Sequence, residues 1–191
     1  MHDERRLRVD LSRYDAARHD PGAGRLRRAA WYWINAVLFA SWLCPLYAPK
    51  RQVLRWFGAV IGAGVVIKPR VNIKYPWRLS VGDHTWLGEG VWIDNLGAVH
   101  IGAHCCLSQG VYICTGNHDW SDPAFALRVE PVSVAAHSWV GAFSIIGPGV
   151  SLGEGTVITA GSVVTVDTEP WTVYSGNPAQ AMKKRDMLDR S

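Results

Sequence analysis

Between Cys114 and Trp120 the chain reads CTGNHDW, which sets His118 between the carboxamide of Asn117 and the carboxylate of Asp119. An imidazole exchanges a proton near neutral pH, so a histidine held on a rigid scaffold is a candidate general base. Asn117 and Asp119 stand either to orient that ring or to stabilise a turn. No GxSxG stretch accompanies it, so the chain offers no serine nucleophile on an elbow turn. Three more histidines, His84, His104 and His137, each stand three positions after an aliphatic residue. On stacked strands they would form an outward column at the ~4.8 Å interstrand spacing, close enough to share a metal ion or to serve as a plain row of turn residues.

What must position His118 is a repeat. From Ile61 an aliphatic residue returns every six positions: Ile61, Ile67, Ile73, then after two extra residues Val81, Leu87, Ile93, and after two more Ile101, Leu107, Ile113. After a long break the count resumes at Val134, Val140, Ile146, Leu152, Ile158 and Val164. A small or β-branched residue stands four positions after most of them, from Val65 and Val71 to Thr156 and Ser162. A period of six fits neither helical spacing nor simple strand alternation. It fits a short flat strand and a tight turn, with the large aliphatic in the interior, the smaller residue near the corner and glycine relieving the turn. Three such strands close a triangular coil, and the fifteen hexads build about five coils around a dry core. Between Ile113 and Val134 there are 21 residues where six would serve. Ordering the excess costs backbone entropy, and long loops on rigid scaffolds commonly carry function. His118 stands at the root of this excursion.

The hexads, with the ending GNPAQAMKKR from Gly176 to Arg185, resemble the hexapeptide-repeat acyltransferases. The stretch YPWRLSVGDHTWLGEGVWIDNLGAVHIGAHCCLSQGVYICTGNHDW is similar to the acetyltransferases of exopolysaccharide (colanic-acid-type) biosynthesis. The resemblance covers about Trp31 to Arg185. It implies a mainly β fold, a left-handed parallel β-helix, a homotrimer, acetyl-coenzyme A as cosubstrate and a sugar hydroxyl as acceptor. It further implies that His118 takes the proton from that hydroxyl. A thioester is already activated, so direct transfer is expected, with no acyl-enzyme and no metal.

Asp94 and Asn95 fall where relatives hold acceptor-binding polar groups, with Asn117 beside the base. Leu96 occupies the slot of the family's acidic residue, and a turn-forming role is the alternative for the Asx pair. On the cofactor side, Trp139 matches an aromatic beside the thioester end. Ala142 and Ala160, one coil apart, match small residues that let the pantetheine arm approach the backbone. Thr165 matches a further cofactor position and Lys183 a phosphate contact. Gln180 replaces another basic residue of that clamp, for which Lys184 or Arg185 would substitute.

The same solenoid carries other chemistries. The γ-class carbonic anhydrases hold zinc by three histidines, two of them five apart after the loop; here Pro123 stands five after His118, so that site cannot be completed in the same way. An antibiotic acetyltransferase and a non-catalytic scaffold remain as alternatives.

Residues 1–58 read as an N-terminal extension with a Trp-rich helix, 59–170 as the β-helix with its loop excursion at about 114–131, and 171–191 as a C-terminal tail. LRRAAWYWINAVLFASWL forms the helix, with Trp31, Ile34, Leu38 and Trp42 on one stripe. It either caps the coil beginning at Ile61, packs on a neighbouring subunit, or rests on the inner face of a membrane as a peripheral contact. The apolar run from Ala29 to Ala48 is interrupted by Asn35, Ser41 and Pro45 and falls short of the ~20 residues a spanning helix needs. A net charge of +4 with no nucleic-acid motif argues against nucleic acid as a partner. Four cysteines without a CxxC pair fit reduced thiols, and the charged start MHDERRLRVD is no signal peptide, so a cytoplasmic protein is expected.

Overall fold

A period of six calls for three faces of stacked strands, and a computed structural model, which describes residues 8–188, has them. The first face stacks Val60–Ile61, Leu79–Val81, Val99–Ile101, Val132–Val134 and Ser151–Leu152. The second stacks Val66–Ile67, Trp86–Leu87, Cys106–Leu107, Trp139–Val140, Val157–Ile158 and Thr172–Gly176. The third stacks Asn72–Ile73, Trp92–Asp94, Tyr112–Cys114, Ile145–Ile146 and Val163–Val164. All these pairings are parallel, and the register sets aliphatic on aliphatic: Ile73 over Ile93, Ile113, Ile146 and Val164. Five coils are complete, and Thr172–Gly176 opens a sixth on one face.

The interior is the expected one. Ile67, Ile73, Leu87, Ile93, Ile113, Ile146 and Ile158 are all fully buried, each contributing about 1.5–3 kcal/mol by leaving water. The residues four positions on, such as Val65, Thr85, Cys105 and Ser144, are buried as well. The turn chemistry differs from expectation. Positive φ falls three positions after the aliphatic, at Gly90 (70°), His84 (56°) and Phe143 (58°), not at the glycine one position after it. That glycine answers to close stacking instead: a Cβ on Gly102 would lie 2.5 Å from the backbone nitrogen of Ala136 in the next coil.

A parallel stack leaves backbone groups of its first coil unpaired, and the N-terminal helices meet them. Helix α1 runs from Arg25 to Ile34 and continues as a π-helical segment, Asn35–Phe39. The wider turn shifts the phase of the stripe. Phe39 is therefore buried beside Trp31, while Trp42, expected on the same stripe, is exposed. A second helix, α2 (Tyr47–Trp56), was not foreseen; Pro49 sits in its first turn, where the missing N–H has no intrahelical partner in any case. From α2, Arg51 donates to the Val65 carbonyl at 2.8 Å, Arg55 to Ile61 at 2.7 Å, and the buried Lys50 to Ile67 and Lys68 at 3.4 and 3.3 Å. Burial pushes the Lys50 ammonium below the usual lysine range. From α1, Trp31 donates to the Ile73 carbonyl at 2.8 Å.

The C-terminal stretch 171–191 is not a tail in its described part. Ala179–Lys184 folds back antiparallel on Thr172–Gly176 and extends the second face. Residues 1–7 of the charged start and 189–191 lie outside the described residues.

Candidate active site

The excursion after Ile113 is a ribbon. Gly116–His118 pairs antiparallel with Leu127–Val129, setting His118 opposite Leu127. Buried Thr115 pins its root: its hydroxyl donates to the Asp94 carbonyl at 3.0 Å and accepts from Gly97 N–H at 2.9 Å, while its carbonyl accepts from Glu130 N–H at 2.9 Å. A Cβ on Gly116 would meet the Leu96 side-chain end at 2.6 Å, so the glycine lets Leu96 pack directly against the ribbon's root.

Two contacts hold the His118 ring. Its Nδ1 lies 2.8 Å from the Phe125 carbonyl oxygen, and the rings of His118 and Phe125 stack with centroids 4.2 Å apart at 9°. A carbonyl only accepts, so Nδ1 carries the proton of the neutral ring and Nε2 keeps the lone pair. Phe125 is itself at φ 52°, a conformation non-glycine residues adopt only where surroundings enforce it. Of the two roles open to Asp119, its contacts fit the turn: it accepts from Ser121 and pairs with Arg128, closing the ribbon's turn. Asn117 is exposed and accepts from the His118 backbone N–H at 2.8 Å.

His118 opens onto a cleft of about 390 Å³, walled by Tyr75, Leu96 and Leu127 and by Tyr14, His19 and Arg28 of the N-terminal segment. The segment reaches the ribbon through an Asp10 N–H to Pro123 carbonyl bond of 2.8 Å, and the Tyr14 ring lies 5.7 Å from that of His118. Tyr14, His19, Arg28 and Tyr75 were not foreseen, because no local spacing connects them to His118. The cleft joins a second hollow of about 440 Å³ under α1 through Arg28, Lys74 and Tyr75, and Asp94 and Trp92 line that hollow. Asp94 pairs with Lys74 at 2.8 Å and accepts from the Tyr112 hydroxyl at 3.2 Å. Burial, and then Cys114 beside it, keep the Tyr112 phenol protonated well above its ordinary range. Burial, and then Arg78, hold the His19 imidazole below the usual histidine range, favouring its neutral form.

Asn95 does not belong to this wall. It is fully buried and so closed to an acceptor, with its carboxamide donating to the Tyr75 carbonyl at 2.6 Å and accepting from Tyr75 N–H at 2.9 Å. It positions Tyr75 instead.

The residues matched to the cofactor separate into two groups. Trp139, Ala142 and Ala160 line one groove of about 350 Å³ on the second face, with Ser108, Gln109 and Thr159. The Trp139 indole donates to Ser108 at 2.9 Å. Lys183 lies on the outermost strand of the same sheet and is exposed. Thr165 is exposed, lies just past the third-face strand and does not line the groove. Lys184 and Arg185, the alternatives to a missing basic residue, are engaged elsewhere: Lys184 donates to Thr172 at 2.9 Å, and Arg185 to the His137 and Gly155 carbonyls at 2.8 and 2.9 Å.

His84, His104 and His137 do form a column, with successive ring centroids 5.3 Å apart and nearly parallel. Each occupies the positive-φ turn position, and among the described residues no group of histidine, cysteine or carboxylate side chains has the arrangement of a metal site.

The family model described as "Bacterial transferase hexapeptide (six repeats)" matches residues 131–165. WcaF of Escherichia coli (strain K12), named "Putative colanic acid biosynthesis acetyltransferase", is 37% identical over 176 residues, which is 92% of this chain and 97% of that protein. A maltose O-acetyltransferase from Clostridium difficile 630 superposes with a TM-score of 0.73 at 27% identity, over 86% of this chain and 90% of its own. A hexapeptide-repeat acetyltransferase from Vibrio cholerae, solved with acetyl coenzyme A, gives a TM-score of 0.76 at 22% identity, over 88% and 94%. With a relative matched end to end at that identity and the coils built as the repeat requires, the chain belongs to the hexapeptide-repeat acetyltransferases.

Proposed function

We propose that this acetyltransferase moves the acetyl group of acetyl-coenzyme A to a hydroxyl of a saccharide in exopolysaccharide assembly, with His118 as general base. The observation that carries the reading is the Nδ1 contact with the Phe125 carbonyl, which leaves the Nε2 lone pair for the acceptor proton on a ring that opens onto a cleft. As the hydroxyl oxygen attacks the thioester carbon, its proton passes to Nε2; the C–S bond then breaks and the coenzyme thiolate regains a proton. No side-chain nucleophile enters, because the thioester is already activated. The cleft suits a sugar. Tyr75 lines both hollows beside Lys74, Asp94 adds a carboxylate, and the buried Nε2 of His19 and Nε of Arg28 have no protein partner among the described residues. Sugar hydroxyls would supply those bonds.

The cofactor reading rests on Trp139, Ala142 and Ala160 in one groove, with Lys183 outward on the same sheet for the phosphates. That groove and the His118 cleft share no residue and lie on different sides of the prism. This supports a homotrimer in which the groove of one copy adjoins the cleft of the next. Four free cysteines, two of them adjacent, support a reducing, cytoplasmic setting.

The test is release of coenzyme A thiol from acetyl-coenzyme A across a panel of free, nucleotide-linked and polymeric sugars, with chloramphenicol as a non-sugar acceptor and EDTA present. Turnover with a saccharide and a loss of at least ~100-fold in His118→Ala are expected. Near-parent turnover in that variant removes His118 from the mechanism, and turnover with chloramphenicol alone removes the sugar.

A further inference from the structure

We propose that the N-terminal cap is a docking face for an anionic membrane surface. Helix α1 is apolar on two sides. Trp31 and the partly buried Ile34 pack on the first coil. Leu26, Ala30 and Trp33, three and four residues apart, run along an adjacent, exposed side, with Val37 one turn further. Leu26 is 89% exposed and Trp33 68%. The segment after the helix continues the surface with Trp42 and Leu43, 63% and 79% exposed. Single apolar residues on a surface need no explanation, but a helix whose outward side is a continuous apolar stripe lacks a partner.

Charge decides which partner. From Pro21 to Gly82 the chain has ten Lys and Arg residues and no Asp or Glu, while the whole chain is only +4, so the remainder is net acidic; Lys50 is buried and Lys74 pairs with Asp94, so the charge of this end rests on the other eight. Two copies meeting through this face would set like charges against each other, whereas anionic lipid head groups complement it. Tryptophan beside arginine is the combination that settles at the head-group level, and the Arg70 guanidinium lies 5.6 Å from the exposed Trp42 ring. Among the described residues no helix is long and apolar enough to cross a membrane, so the contact is superficial. The hollow under α1, which joins the His118 cleft, is lined by Trp31, Tyr32 and Asn35 of the cap. If the acetyl-transfer reading holds, docking brings that cleft to acceptors carried on lipid; the docking itself does not depend on it.

The experiment is co-sedimentation of the full chain with vesicles of phosphatidylcholine alone and of phosphatidylcholine with about one-third phosphatidylglycerol, at low and high salt. Binding to the anionic vesicles, at least ~10-fold weaker with the neutral ones and weakened by salt, is expected. Trp33→Ser/Trp42→Ser/Leu43→Ser alters only exposed side chains, and Arg25→Glu reverses one exposed charge. Each should weaken vesicle binding by about tenfold or more while thermal melting and oligomeric state stay as in the parent. Equal partition to both vesicles, no partition, variants that bind like the parent, or a triple variant of smaller oligomeric state would each overturn the proposal. None of these readouts involves acetyl transfer, so the docking face and the activity succeed or fail separately.

Discussion

The Nδ1 of His118 lies 2.8 Å from the carbonyl oxygen of Phe125, and the two rings stack face to face 4.2 Å apart. The ribbon thus both orients the His118 ring and fixes its tautomer. Because Phe125 is at φ 52°, glycine there keeps the backbone and its carbonyl while removing the stacked ring. Phe125→Gly is expected to lower kcat about tenfold, well short of the loss in His118→Ala, with KM for acetyl-coenzyme A unchanged. Steady-state rates on both variants check this; equal losses would mean that the ring, not the carbonyl, does the orienting.

The groove on the second face is open because Ala142 and Ala160 are small. Ala160 is exposed, so a large side chain there fills the groove without entering the core. Ala160→Tyr is expected to raise KM for acetyl-coenzyme A by at least ~10-fold and to leave thermal melting unchanged. Initial rates at varied cofactor, with a melting curve, decide it.

Asp94 and Asn95 are neighbours in sequence with opposite environments. Asn95→Ala removes two buried hydrogen bonds to the Tyr75 backbone and should cost about 2–4 kcal/mol in denaturant unfolding. Asp94→Asn keeps its size and should raise acceptor KM several-fold while costing less stability than Asn95→Ala, since Lys74 is partly exposed and the carboxamide oxygen still accepts from Tyr112. The reverse pattern would return Asn95 to the acceptor site.

The ribbon's turn should depend on pH through Asp119. The Ser121 hydroxyl and, less strongly, the Arg128 guanidinium hold its carboxyl below the usual carboxylate range. A group whose folded value is depressed stabilises fully above the unfolded value, ~3.9, and that contribution is lost as pH falls through the folded value. Protection of the Ser121 amide relative to its intrinsic exchange rate should therefore hold down to pH ~4 and fall below it. In Asp119→Asn the exchange should be faster at neutral pH and lack that step.

Much of this was written in the chain because a solenoid couples only neighbouring coils, so its fold is a local pattern repeated. Ile61 to Val164 could be assigned to the core one residue at a time, and the excursion around His118 stood out as a break in the count. The two shorter breaks were visible as well, but their meaning was not. The extra residues after Ile73 build the Tyr75–Arg78 turn, those after Ile93 build Asp94–Gly97, and both lie at the corner from which the ribbon departs. The three interruptions fall at successive turns of one corner, and only the stacked register shows it.

What the tertiary structure alone decided is who else stands there. Tyr14, His19 and Arg28 reach His118 from about a hundred residues away in sequence, through contacts of a segment with no repeat of its own. The phase of α1 turned on the π-helical segment at Asn35–Phe39, which buried Phe39 and left Trp42 outside. The burial of Asn95 followed from the coil before it. Periodicity specifies contacts at a fixed separation along the chain. Contacts made by irregular segments are selected by packing and by unpaired backbone groups, whose position no spacing reveals.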